Sequence, residues 1–169
     1  MAIQSQAVSR VFSSAHSIVF FSDNVRNTLR EVIRENGISP DNLMQGWTTI
    51  ERGIRTWLAS GHLNNIIVEF FRPGASVSSA RWEFPVGYSG SGVDDDMWLD
   101  KNYLRQLIAK SARPTTDCVY RVVLFTDSGR PSVEGFVDCT LLSTGALAAR
   151  QAGTVIATGH MTAAVTYWR

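Results

Sequence analysis

VEGFVDCTLLSTGALAARQAGTVIATGHMTAAVTYWR, Val133 to Arg169, has β-prone pieces near Val133 to Leu142, Thr154 to Ala157 and Ala163 to Trp168, separated by glycines and small residues. It shows no helical period and no convincing hairpin turn, so it predicts a segment that gains order by adding to the edges of a sheet made elsewhere in the chain. Its final apolar and aromatic residues need a docking place, because terminal residues fray unless something holds them. Alternation sets Ala163, Val165 and Tyr167 on one face of a terminal strand and Ala164, Thr166 and Trp168 on the other, with the last aromatics sealing it.

The rest of the chain supplies the sheet and its helices. Val8, Phe12, Ala15, Ile18, Val25, Leu29 and Val32 fall at helical spacing, and Asn36-Gly37 ends the pattern. Ser39-Pro40-Asp41 predicts an N-cap with a proline at the first helical position, opening a second helix that runs to Ser60-Gly61. The period then becomes two, with Ile66, Val68 and Phe70 on one face, and Ala80, Trp82, Phe84 and Val86 form the return strand of a hairpin. Pro85 cannot donate to a ladder and predicts an edge or a bulge. Asp100 caps a third helix carrying Tyr103, Leu104, Leu107 and Ile108. CVYRVVLFT, Cys118 to Thr126, is the strongest strand signal in the chain.

The totals restrict the class. A chain of 169 residues suits a single domain, and 44% hydrophobic with 18% charged residues is a globular composition. No apolar run approaches the roughly 20 residues of a membrane span. Met1 to Arg10 lack the pattern of a signal peptide, so a cytoplasmic location is expected, with Cys118 and Cys139 reduced. Sixteen basic residues against fifteen acidic give a net charge of +1, with no basic block of the kind that tracks phosphates.

The polar residues give no catalytic constellation. Asp94-Asp95-Asp96 lacks the alternate spacing and glycine of a calcium loop, and reads as a solvated cluster before a helix. His16, His62 and His160 are far apart and lack ligand spacing, as do the two cysteines. GYSGSG, Gly87 to Gly92, matches neither phosphate-binding glycine pattern nor a nucleophile elbow, and predicts a loop. Trp82, Tyr120 and Phe125 are the only support for an alternative, a nucleic-acid-binding α+β domain that stacks bases on its strands. No enzyme activity is expected, and the features favour a binding surface made of backbone edges.

Several separated blocks carry a family resemblance: IERGIRTWLASG (Ile50 to Gly61), ARWEFPVGYSG (Ala80 to Gly90), MWLDKNYLRQLI (Met97 to Ile108), YRVVLFTDSGRPSVEGF (Tyr120 to Phe136), LSTGALAARQAGT (Leu142 to Thr154) and the final TYWR. Together they resemble bacterial HORMA-domain proteins of CBASS anti-phage signalling. The resemblance implies an α+β fold, with three helices packed on a mostly antiparallel sheet and a C-terminal safety belt. One domain would cover residues 1–169, with a core of about 8–128 and a belt of about 129–169.

It also implies an adaptor without cofactors, whose belt wraps a closure-motif peptide from a partner or phage protein. The closed form would bind and activate a cGAS/DncV-like nucleotidyltransferase. An AAA+ ATPase would disassemble it by engaging Met1, Ala2, Ile3, Gln4 and Ser5, and a second HORMA protein is a further possible partner. Peptide-binding positions carried over are Val119, Arg121, Val123 and Phe125 on the core strand, and Val133, Phe136, Val165, Tyr167 and Trp168 in the belt. Phe136 and Leu142 stand where the family pattern has Trp and Arg.

Overall fold

A computed structural model describes residues 2–88, 97–111 and 117–169, and of residues 2–14 the backbone alone. Helix α1 (Ala2–Glu35) buries Phe21, Val25, Leu29, Val32 and Ile33, a stripe with helical spacing that faces the core. It stops as the sequence predicts. Gly37 takes φ 82°, its N–H donates to the carbonyl of Arg34, and the N–H of Ile38 donates to that of Ile33. This pairing satisfies two carbonyls that a helix end leaves open.

The predicted second helix is divided in two, α2 (Asp41–Gln45) and α3 (Trp47–Ala59). The break falls at Gly46, a residue type that only proline exceeds in its disfavour for a helix interior. Pro40, not Ser39, occupies the capping position, and Ser39 Oγ accepts from the Asp41 N–H. The N–H of Leu43, in the first turn of α2, instead donates to Tyr120 Oη at 3.0 Å. Gly61, at φ 74°, ends α3 with the same pair of bonds seen at Gly37.

The strands are β1 (Leu63–Phe71), β2 (Ala80–Gly87), β3 (Trp98–Leu99), β4 (Val119–Thr126), β5 (Ala149–Ala157) and β6 (Thr162–Trp168), with α4 (Lys101–Lys110) between β3 and β4. They form one sheet in the order β3-β5-β6-β2-β1-β4, with every pair antiparallel. Ile66, Val68, Phe70, Trp82 and Phe84 join α1 and α3 in the core, so the helices pack on one sheet face. Glu69 pairs with Arg81 on the other face. Asp100 caps α4 by accepting from the Tyr103 N–H at 2.9 Å. The α+β fold with helices on an antiparallel sheet is the one expected from the sequence.

Three further local expectations are overturned. Pro85 lies in an interior strand, but the β2–β6 register passes from Glu83↔Thr166 to Val86↔Ala163, so its missing N–H falls in a gap of the ladder. β5 and β6 do form a hairpin, closed by Thr158: its Oγ accepts from the N–H groups of His160 and Met161, and its own N–H donates to the Met161 carbonyl. A side-chain turn of this kind leaves only a weak sequence signature. Val133 to Leu142 forms no strand, because it crosses the edge of β4 instead of pairing along it; Ser143 makes a single parallel bridge to Val77.

Candidate functional site: the open edge of the sheet

β4 ends the sheet order, so its outer backbone edge has no strand partner among the described residues. The chain after β4 goes round that edge from the helical face to the opposite face. On the helical side the carbonyl of Pro131 accepts from Trp57 Nε1 at 2.8 Å, and the Arg130 guanidinium lies 5.5 Å from the Trp57 ring centroid. Arg130 also pairs with Asp138 at 2.7 Å. Gly135 turns the chain at φ 93°. Phe136 then meets Trp57 edge-on at 4.9 Å and lies flush on Gly53, where an added methyl group would come 2.5 Å from its ring.

Beyond Phe136 the chain leaves the helices, and Val137 is 88% exposed. It is caught again on the far face. Thr140 and Leu142 hydrogen-bond through their backbones to Arg121, Arg81 and Glu69, and Ser143 exchanges backbone bonds with Ser76 and Ser78. Between this crossing segment and β4 lies a groove of about 490 Å³. Val122 and Leu124 line it on the helical side, and Val123 and Phe125, pointing oppositely, on the other; Phe136, Val137 and Leu141 form its outer wall.

An open strand edge under a crossing segment can accept one extended peptide. Main-chain bonds to β4 would supply affinity, and the alternating apolar walls would select side chains. Among the described residues no three His, Cys, Asp or Glu side chains gather as a metal-binding group. Nearby, burial pushes the pKa of Tyr88 up to about 12, with the Asp127 carboxylate adding to the rise; its Oη donates to the Leu63 carbonyl at 2.7 Å. Burial likewise raises that of Tyr120.

The residues expected to bind peptide are divided by the fold. Val123, Phe125 and Phe136 line the groove, and Val119 stands partly exposed at the start of β4. Val133 packs against the core beside it. Arg121 is engaged by Glu69 and the Thr140 carbonyl. Val165, Tyr167 and Trp168 lie on β6, separated from β4 by β2 and β1. Tyr167 stacks on Trp82 at 5.2 Å, and Trp168 Nε1 donates to Glu83 Oε2. Ala2, Ile3, Gln4 and Ser5 fall in the first turns of α1, whereas Met1 lies outside the described residues.

Asp94-Asp95-Asp96, Ser89 to Gly92 and Arg113-Pro114 also lie outside the described residues. Trp82 is buried in the core and Tyr120 packs on Phe70, so of the three aromatics suggesting base stacking only Phe125 is prominently exposed. Sequence reasoning missed Gly53, Trp57, Arg130 and Glu69. Gly53 carried the one legible signal: a glycine inside an amphipathic helix, beside Ile54 and Trp57, marks a close approach.

The fold and the groove define an α+β domain with a crossing segment over an open strand edge. The chain belongs to the bacterial HORMA domain 2 family, whose model matches residues 6–169. Similar folds occur in a complex of the E. coli MS115-1 proteins CdnC and HORMA-deltaN (TM-score 0.60, 17% identity, 93% of this chain and 89% of that one) and in the Mitotic Checkpoint Complex (0.60, 14%, 98% and 97%). C. elegans HTP-2 bound to the HIM-3 closure motif is another (0.58, 14%, 87% and 90%). No curated protein matches the chain in sequence.

Proposed function

We propose that this protein is a peptide-binding signalling adaptor. A closure-motif peptide from a partner or phage protein adds to the free edge of β4, and residues 127–148 act as the belt that covers it. The observation that carries this reading is the groove itself, a strand edge unpaired among the described residues, with apolar walls beneath a segment held on both sides. Strand addition draws its affinity from main-chain hydrogen bonds and needs no catalytic group. The peptide-bound C. elegans structure shows that a chain of this fold can hold such a ligand.

In the closed form the adaptor binds and activates a cGAS/DncV-like nucleotidyltransferase in CBASS anti-phage defence; the family membership and the E. coli CdnC complex support this partner. Met1 to Ser5, of which Ala2 to Ser5 open α1, form the segment an AAA+ ATPase engages to reopen the belt. A second HORMA protein is a further candidate source of peptide.

A display library of peptides tests the binding step. Capture is expected for an extended apolar sequence, and Phe125→Asp, on the exposed wall, is expected to weaken it about ten-fold or more while the circular dichroism is unchanged. A library that yields no binder, or binders indifferent to Phe125→Asp, would count against the groove. Adding the captured peptide to adaptor and nucleotidyltransferase is expected to start cyclic-nucleotide synthesis; synthesis independent of peptide would separate activation from closure.

A further inference from the structure

Glu69 is a carboxylate with no solvent exposure on the sheet face away from the helices. Its Oε1 accepts from Arg81 Nη2 at 2.5 Å, from the Leu142 N–H at 3.0 Å and from Ser78 Oγ at 3.3 Å. Its Oε2 accepts from Arg121 Nε at 2.7 Å. Both arginines then reach past it. Arg121 Nη2 donates to the Thr140 carbonyl at 2.6 Å, and Arg81 Nη2 to the Leu142 carbonyl. Glu83 lies 3.9 Å from Arg81 and balances the second positive charge.

We propose that Glu69, Arg81 and Arg121 form a latch that selects the register of the belt and so sets the gauge of the groove; this rests on reading residues 127–148 as the belt. Burial of a carboxylate is costly unless its acceptors are filled, and hydrogen bonds to charged groups are stronger than neutral ones. Here the carboxylate takes a belt N–H and the guanidinium groups take belt carbonyls. The contacts are to backbone only, so the latch reads chain position and not side-chain identity. In an extended chain, groups two residues apart point the same way, as the Thr140 carbonyl and Leu142 N–H do. A slip of one residue would bring Leu141 to the cluster with its backbone groups aimed away from it.

The consequence is a belt of defined length. With Phe136 held on α3 and Leu142 held by the latch, the connecting chain spans at most about 20 Å when extended. That arch is suited to one strand added at a spacing of roughly 4.8 Å, and not to a second. Glu69 is thus a positioning residue: it acts on a peptide only through the belt.

Amide hydrogen exchange on the protein without peptide tests the latch. In Glu69→Gln and in Arg121→Gln, the Leu142 amide is expected to exchange about ten-fold faster or more, from loss of charge-assisted bonds, while Ile66 and Val68 keep their protection. Unchanged exchange at Leu142 in Arg121→Gln, or equal acceleration across β1, would overturn the proposal. Arg121 is on the edge strand and partly exposed, so its variant keeps the test valid if Glu69→Gln does not fold. Peptide capture is measured separately, so a latch without a ligand and a ligand without a latch are distinguishable.

Discussion

At Gly53 two effects of one methyl group oppose each other. Alanine is favoured over glycine inside a helix by about 1 kcal/mol, but the new Cβ would lie within 2.7 Å of two Phe136 ring atoms. The ring must leave Trp57, with loss of an aromatic contact of similar size, about 1 kcal/mol. Gly53→Ala is therefore expected to change the global urea midpoint little while making the 131–142 segment more sensitive to protease; equal sensitivity in both proteins would show that Phe136 is not a belt anchor. Tyr88 makes a pH-dependent contribution. Its pKa is raised from 10.0 to about 12 in the fold, so the neutral phenol stabilises the native state below pH 10, and this contribution is lost as the pH rises through 12. Urea midpoints should fall over that range, and less steeply in Tyr88→Phe.

Among the elements, β6 has the most changed meaning. Its alternating pattern was legible, and Val165 and Tyr167 are buried as the pattern requires. Its neighbour was not, because alternation assigns faces and leaves the pairing partner open. β6 pairs with β2 and β5, and Arg169 exchanges two backbone bonds with Ala148. Removing Tyr167 to Arg169 takes a ring stacked on Trp82 out of the core. The loss expected is at least about 3 kcal/mol in thermal or urea unfolding; a loss confined to peptide retention would mean that these residues only seal the belt.

For the whole molecule, the last third has two structural roles. Residues 149–168 supply two of the six strands among the described residues and the core residues Val155, Ile156, Met161 and Ala163, whereas residues 137–139 bridge the groove without packing in that core. Deleting everything after β4 would unfold the domain and say nothing about a belt. A single cut engineered between Val137 and Cys139 is expected to leave both fragments together on gel filtration and to release them only in denaturant. Fragments that part in native buffer would show that the crossing segment holds the domain together.

Legible from the sequence were local features of several elements: the stripe of α1, the stops at Gly37 and Gly61, the cap at Asp100, and the alternation of Ile66, Val68 and Phe70. These are local matters of period, φ angle and capping, and they are settled within a few residues. Tertiary structure alone decided which edge stays open, where Arg121 points, and which part of the last third becomes sheet and which becomes belt. Backbone hydrogen bonds carry no residue identity, so strand order is selected by the packing of the completed core. Glu69 meets Leu142 only once that order exists.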